Sequence, residues 1–295
     1  MDSKSAKGKV KKFYEQDAKD YIQRYEEGYK KYPASLIRLN LMIDRLKKNR
    51  VKTVLDIGCG SCHPMIRFLE EGLKVKGFDF SEEMVKEGRR ELERAGYDSK
   101  LIFQADLEDD TALPDEKFDT VIALGVFPHI LNERKALSNM RERLKENGLV
   151  FIEFRNDLFA AYTFNKYSLD FFLNRVVDLS SLPNDVTKEV INFYSEGLKI
   201  DKPAKKEKGK ISYTEILAKF HNPLSIEEDL FRPSGFSIEK IHFYHYHALP
   251  PIFESKYPIL FNELSLKMEK PNDWKGYLMA SAYVVEARKN AAINR

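Results

Sequence analysis

The segment VKTVLDIGCGSCHPMIRFLEEG at 51–72 restricts the fold of this chain more than any other stretch. Thr53, Val54, Leu55 and Ile57 form the short apolar run of a strand buried on both faces, with Asp56 polar inside it. Gly58 and Gly60 follow, and a backbone without Cβ atoms can turn sharply and approach a ligand closely. Met65, Ile66 and Leu69 then recur at the spacing of one helix face. A buried strand, a glycine turn and a helix start in direct succession predict a nucleotide-type site in a parallel α/β sheet.

A lone glycine pair is a weak signal, so the test lies downstream. Val75–Phe80 is a second apolar strand carrying Asp79, about twenty residues past the glycines, where such sheets place the carboxylate that binds ribose hydroxyls. Ser81 is a helix cap, and Glu82 and Glu83 occupy a first helical turn, where the dipole favours negative charge. Further strands are predicted at Leu101–Leu107, holding Asp106, at Phe118–Phe127 and at Gly148–Phe154. Strands alternating with helices imply a parallel sheet covered on both faces.

With these motifs in place, the chain resembles the class I S-adenosylmethionine-dependent methyltransferases. The resemblance rests on LDIGCG at 55–60, GFDFSEEMV at 77–85, FQADLED at 103–109 and FDTVIALGVFPHI at 118–130, in the family's order and spacing. It resumes at RPSGFSIEKIHFYHYH (232–247) and GYLMASAYVVEAR (276–288), which are similar to the family's closing antiparallel pair. The family's third glycine is absent, and Cys62 stands there. The implied fold is a Rossmann-like seven-stranded, mostly parallel sheet with an antiparallel closing strand, plus a helical cap insertion. The implied cofactor is S-adenosyl-L-methionine, leaving as S-adenosyl-L-homocysteine. On this resemblance Gly58 and Gly60 lie against the cofactor, Asp56 supports its amino-acid end and Asp79 holds its ribose. Asp106 accepts from the adenine amino group, Phe80 and Leu107 flank the ring, and Leu124 completes the wall.

Two other readings of the same loop carry less. Cys59-Gly60-Ser61-Cys62 is a CxxC motif, and His63 extends it to the haem-attachment pattern CxxCH. A redox site leaves Asp79 and Asp106 unexplained, and MDSKSAKGKVKKFYEQ has no apolar leader core of the kind haem attachment by export needs.

Composition sets the bounds. With 295 residues, 43% hydrophobic and 12% aromatic, the chain can build a sizeable core. No apolar run approaches the roughly twenty residues of a bilayer span. Two cysteines, both in the glycine turn, give no disulfide framework and suit a reducing cytoplasm. The balance of 49 basic against 46 acidic residues does not argue for nucleic acid, and the expected partner is a small molecule. The oligomeric state is not legible.

Three regions are expected: an N-terminal helical lid over 1–50, a cofactor-binding domain from 51–155 and 231–295, and a helical cap over 156–230. Residues 1–8 read as a mobile tail. Val10–Tyr25 reads as a helix with Tyr14, Ala18, Tyr21 and Tyr25 on one face, an apolar stripe that packs in a core or, by the family resemblance, covers the cofactor. On the second reading Tyr14 and Tyr21 line the site and Arg24 pairs with the cofactor's carboxylate. The cap is rich in aromatics and inserts about seventy residues where the minimal fold has a single helix, a length that usually serves function. Its lysine-rich run at 202–210 reads as a solvated loop. His242, His245 and His247 invite a metal, but alternation along a strand turns 242 away from the other two, and none is expected.

Methyl transfer asks the protein to align donor and acceptor and exclude water. Because ligands bind at the carboxyl ends of parallel strands, His129, after the fourth strand, is the first candidate for taking a proton from a hydroxyl acceptor, with His221 or Tyr162 of the cap behind it. No Asp/Asn-Pro-Pro-Tyr stands there, which argues against the family branch that methylates amide or base nitrogens through that motif. The expected activity is methylation of a small molecule, foremost a hydroxyl of a sugar or secondary metabolite. The alternatives are a small-molecule N-methyltransferase and a non-catalytic cofactor-binding subunit.

Overall fold

The computed structural model describes residues 6–14, 32–176, 179–197 and 216–291. Its centre is a seven-stranded sheet in the order β3-β2-β1-β4-β5-β7-β6. The strands are β1 (Thr53–Ile57), β2 (Lys74–Asp79), β3 (Ile102–Gln104), β4 (Phe118–Ala123), β5 (Leu144–Arg155), β6 (Phe236–Tyr246) and β7 (Ala280–Lys289). The first five pair in parallel, whereas β7 runs antiparallel between β5 and β6. The chain goes from β1 outward through β2 and β3, then returns to β4 on the other side of β1. This reversal opens a crevice at the carboxyl ends of β1 and β4, where ligands of such sheets bind.

The alternation along β1 distributes its side chains to two cores. Leu55 and Ile57 join Val121, Ala123, Val150 and Ile152 under helix α5 (Glu133–Glu142). Val54 faces the other way, into a cluster with Phe68 of α3 (His63–Glu70), Val85 of α4 (Glu82–Arg94) and Leu39, Met42 and Leu46 of α2 (Ala34–Lys48). Ser81 caps α4 as its sequence predicts, accepting from the Met84 amide at 3.4 Å.

The region expected as a lid over 1–50 divides in two. Helix α2 packs into the core and is fastened to β7 by Arg45, whose Nε and Nη2 each donate to Glu286 at 2.7 Å. Asn49 at 2.9 Å and His242 at 2.8 Å share the same buried carboxylate. Residues 6–14, helix α1, lie instead over the crevice. The tail expected over 1–8 is therefore already helical from residue 6, because Lys7 finds two carboxylates to bind.

Between β5 and β6 the described residues form α6 (Phe159–Thr163), α7 (Lys166–Phe171) and α8 (Asn184–Gly197). Asn165 starts α7 with a reciprocal capping box to Ser168. The lysine-rich run at 202–210 lies outside the described residues. After β6, α9 (Pro258–Lys267) and α10 (Gly276–Met279) lead into β7. His242 is tied to Glu286, whereas His245 takes φ +59°, which breaks the alternation expected along β6, and stacks on Tyr32 at 5.0 Å with its ring 4.8 Å from that of His247. Among the described residues no group of metal-ligating side chains is assembled, and no helix is long and apolar enough to cross a membrane.

Candidate active site

The crevice is a cavity of about 470 Å³ walled by the ends of the first five strands, by α2 and by α1. Its floor is the loop after β1. Gly58 and Gly60 take φ of +67° and +53°, and a Cβ on Gly58 would stand 2.4 Å from Val126 Cγ2. Cys62, where the family's third glycine is missing, takes the left-handed conformation itself at φ +66° and caps α3. The loop keeps the glycine-type path at a cost of about 1–2 kcal/mol for a residue with a Cβ.

The acidic end of the cavity is built by β2 and the loop after β3. Asp79 accepts from the Gly60 amide at 2.9 Å and from the Ser81 amide at 2.8 Å, which joins the β1 loop to the end of β2. Burial nonetheless raises its carboxyl above the ordinary value. Asp106 sits two residues beyond the end of β3 rather than within it, since this edge strand pairs with β2 only from Ile102 to Gln104. Its Oδ1 accepts from the Glu108 amide at 2.9 Å, and its Oδ2 is 2.7 Å from Lys7 Nζ of α1. Lys7 also reaches Glu108 at 2.9 Å and stands 6.0 Å from the centre of the Phe80 ring. Phe80, Leu107 and Leu124 all line the cavity.

At the other end, β4 runs into Gly125, Val126 and a turn that presents His129. The ring is bonded at both nitrogens: Nδ1 meets the Leu217 carbonyl oxygen, and Nε2 lies 2.8 Å from the Tyr14 hydroxyl. A carbonyl only accepts, so Nδ1 carries the hydrogen and Nε2 accepts from Tyr14. Burial brings the His129 pKa down to about 4, with the Leu217 carbonyl opposing, Arg155 adding to the fall and Glu153 opposing. The ring is therefore neutral at pH 7, with its accepting nitrogen turned to α1.

Among the cavity-lining charges that escaped the sequence reading are Arg38 of α2 with Glu153 and Arg155 of β5. Arg38 Nη1 donates to Glu153 Oε2 in a buried pair. Each stands inside an apolar pattern, Arg38 in the buried stripe of α2 and Glu153 in FIEF, and a charge in such a place was the signal available. Asp56 does not line the cavity. It is 4% exposed, and its Oδ2 has no hydrogen-bond partner among the described residues. Burial pushes its carboxyl up to about 7, with Arg38 pulling down and Asp79 pushing up.

A raised acid pKa means that the folded chain holds its proton longer than the unfolded chain, so ionisation costs stability. The contribution of Asp56 is thus expected to fall as pH rises from about 4 to about 7. Thermal melts across that window should show a shallower decline for Asp56→Asn than for the native chain; parallel profiles would refute the assignment.

The structure does not bring the other two expected proton acceptors to the cavity. His221 Nε2 faces Glu133 Oε1 at 2.7 Å, and the Tyr162 hydroxyl donates to the Ala248 carbonyl at 2.9 Å. Neither residue lines the cavity. Tyr21 and Arg24 lie outside the described residues. Tyr14 does line it, together with Lys7, Val10 and Phe13 of the same helix.

This sheet and crevice define an α/β domain of the Rossmann-like class. Residues 55–150 match the family model described as a methyltransferase domain. Glycine/sarcosine N-methyltransferase of Aphanothece halophytica is 29% identical over 140 residues, covering 46% of this chain and 52% of that protein. Ubiquinone biosynthesis O-methyltransferase of Azoarcus sp. is 29% identical over 124 residues, covering 42% and 52%. The chain therefore spans about half the length of the curated relatives it matches. Among solved structures, magnesium protoporphyrin IX methyltransferase of Synechocystis with bound SAH shares the fold at a TM-score of 0.55 and 16% identity, over 96% of this chain and 100% of that one. Over residues 55–150 the chain is thus similar to a methyltransferase domain, and over nearly its whole length it shares the fold of S-adenosylmethionine-dependent methyltransferases.

Proposed function

We propose that the chain is an S-adenosylmethionine-dependent methyltransferase acting on a small molecule, with a hydroxyl as the acceptor. The observation that carries this reading is that the acidic end and the Tyr14–His129 pair wall one cavity. The cradle suits the cofactor. A cavity of about 470 Å³ is of the size that takes a drug-sized ligand. Gly58 leaves no room for a side chain, Asp79 is held at the wall by two amides, and Asp56 Oδ2 is unpartnered one residue before the lining. Gly58, Gly60 and Asp79 would hold the nucleoside, with Asp106, Phe80 and Leu107 at the adenine and Arg38 in the place expected of Arg24. When bound, S-adenosyl-L-methionine supplies a methyl carbon already activated by its sulfonium.

The chain's own work is alignment, dryness and the proton. Helix α1 lines the cavity from Lys7 to Tyr14 and so narrows its access to water. His129 Nε2 is the proton acceptor, reached by an acceptor hydroxyl that displaces the Tyr14 hydroxyl or donates to its oxygen. A base whose pKa lies near 4 suits an acidic, phenol-type hydroxyl better than the hydroxyl of a sugar.

The same weak base favours a second reading, N-methylation of a neutral amine, which needs no proton removed before attack. The named relatives include enzymes of both kinds. A panel of phenols, sugars and small amines, followed by methylated product and S-adenosylhomocysteine, tests the proposal. Absence of S-adenosylhomocysteine binding by the folded protein would overturn it. For a hydroxyl acceptor, His129→Ala should lower kcat by about 100-fold or more with little change in cofactor affinity. An unchanged kcat would move the assignment to the amine reading.

A further inference from the structure

The segment that returns from the cap threads between the carboxyl ends of β4 and β5. Lys219 donates its amide to the Pro128 carbonyl at 2.9 Å and its Nζ to the Leu131 carbonyl at 3.1 Å, both beside His129. His221 donates its amide to the Arg155 carbonyl at 2.9 Å, while its own carbonyl accepts from the Asp157 amide at 3.0 Å and the Tyr283 hydroxyl at 3.2 Å. Residues 217–221 are thereby a strap wedged into the sheet's open edge, and Leu217 at its head offers the carbonyl that His129 Nδ1 meets.

One carboxylate clasps the strap from outside. Glu133, in the first turn of α5, has Oε1 at 2.7 Å from His221 Nε2 and Oε2 at 3.3 Å from Lys219 Nζ. Burial works against its charge, yet His221 and then Lys219 bring its carboxyl below the ordinary range. The His221 ring is also fixed against Phe154, with centroids 4.7 Å apart. None of these groups lines the cavity, so Glu133 and His221 have no direct part in binding.

We propose that Glu133 and His221 are positioning residues for methyl transfer: their pair holds the 217–221 strap so that the Leu217 carbonyl fixes His129 with hydrogen on Nδ1 and leaves Nε2 to accept a proton. The proposal rests on the reading of His129 as the base. Without the strap either neutral tautomer is available to the ring, and in the wrong one Nε2 carries hydrogen and accepts nothing. Among the described residues, the groups facing His129 include Tyr14 from α1, Glu153 and Arg155 from β5 and the Leu217 carbonyl from the strap. Among the described residues, those facing Glu133 are Lys219, His221 and the buried hydroxyl of Tyr283 from β7, and Asp157, itself paired with Arg175 at 2.9 Å, lies near His221.

The test uses nitrogen NMR of the histidine rings in the full chain, which contains six histidines, with His129→Gln assigning the signal. In the native protein His129 is expected as one neutral tautomer, hydrogen on Nδ1, with no titration between pH 5 and 8. In Glu133→Ala and in His221→Ala the signal should become a mixture of the two neutral tautomers. Glu133→Gln, which keeps an accepting oxygen, should restore most of the native signal, and S-adenosylhomocysteine affinity should change less than threefold in all three. A folded Glu133→Ala protein whose His129 stays in the native tautomer overturns the proposal. Tautomer change together with methyl transfer that survives His129→Ala upholds the clasp and removes the base role, so the two failures are distinguishable.

Discussion

In titrations with S-adenosylhomocysteine, Asp79→Ala is expected to bind about 100-fold more weakly than the native chain, or worse. The carboxylate has two duties, and alanine ends both. It ties the Gly60 amide to the end of β2 and holds the Ser81 amide at the start of α4, so the glycine loop and the second strand share one anchor. It also lines the cavity, where a ribose would donate to it. Charge-assisted hydrogen bonds contribute about 1.5–3 kcal/mol each, so two of them account for the expected loss. Asp79→Asn should fall between the two, because its oxygen still accepts one amide while its NH2 opposes the other. The raised carboxyl pKa sets the pH dependence: affinity should decline on acidification at a pH above that of an ordinary aspartate. Equal affinity in the native and alanine proteins would remove Asp79 from the ribose role.

Glu286→Ala is expected to destabilise the fold by about 3–5 kcal/mol, the usual cost of breaking a buried pair and leaving its cation behind. The side chain is fully buried and gathers Arg45 through two bonds, Asn49 and His242. Alanine strands a guanidinium, an amide and an imidazole at the junction of α2, β6 and β7. At this chain length the loss corresponds to a thermal midpoint lower by roughly 10 °C. Burial opposes the charge of Glu286, but His242, Arg45 and Asn49 together bring its pKa down to about 2. A depressed acid pKa gives stability that is whole above the ordinary value near 4.3 and is lost as pH falls through 2. Acid melts of the native chain should show that loss, and Glu286→Gln should flatten it. A midpoint within about 2 °C of native for Glu286→Ala would show that the cluster contributes no net stability.

Much of the sheet was legible because strand burial is local. The run before Gly58 alternates into two cores, and the spacing from those glycines to Asp79 is set by one helix and one strand. Boundaries were less legible. β4 ends at Ala123 rather than running to Phe127, because Gly125 turns at φ +78° to clear the cavity. Among the residues that line the cavity, those on motif loops were named from the sequence, whereas Lys7, Arg38, Glu153 and Arg155 were not. Their positions carry no periodic signal that names a partner.

The sequence by itself determined a parallel α/β sheet, the glycine turn after its first strand and the carboxylates after its second and third, since each is encoded within one strand-turn-helix unit. Only the tertiary structure decided which of three expected proton acceptors reaches the cavity. His129 reaches it, while His221 and Tyr162 are spent on Glu133 and the Ala248 carbonyl. It also decided the tautomer of His129, through a carbonyl 88 residues away, and the state of its other nitrogen, through a hydroxyl 115 residues away. A hydrogen bond has a range of about 3 Å in space and none along the chain. Such pairings exist only once the sheet has brought its loops to one edge.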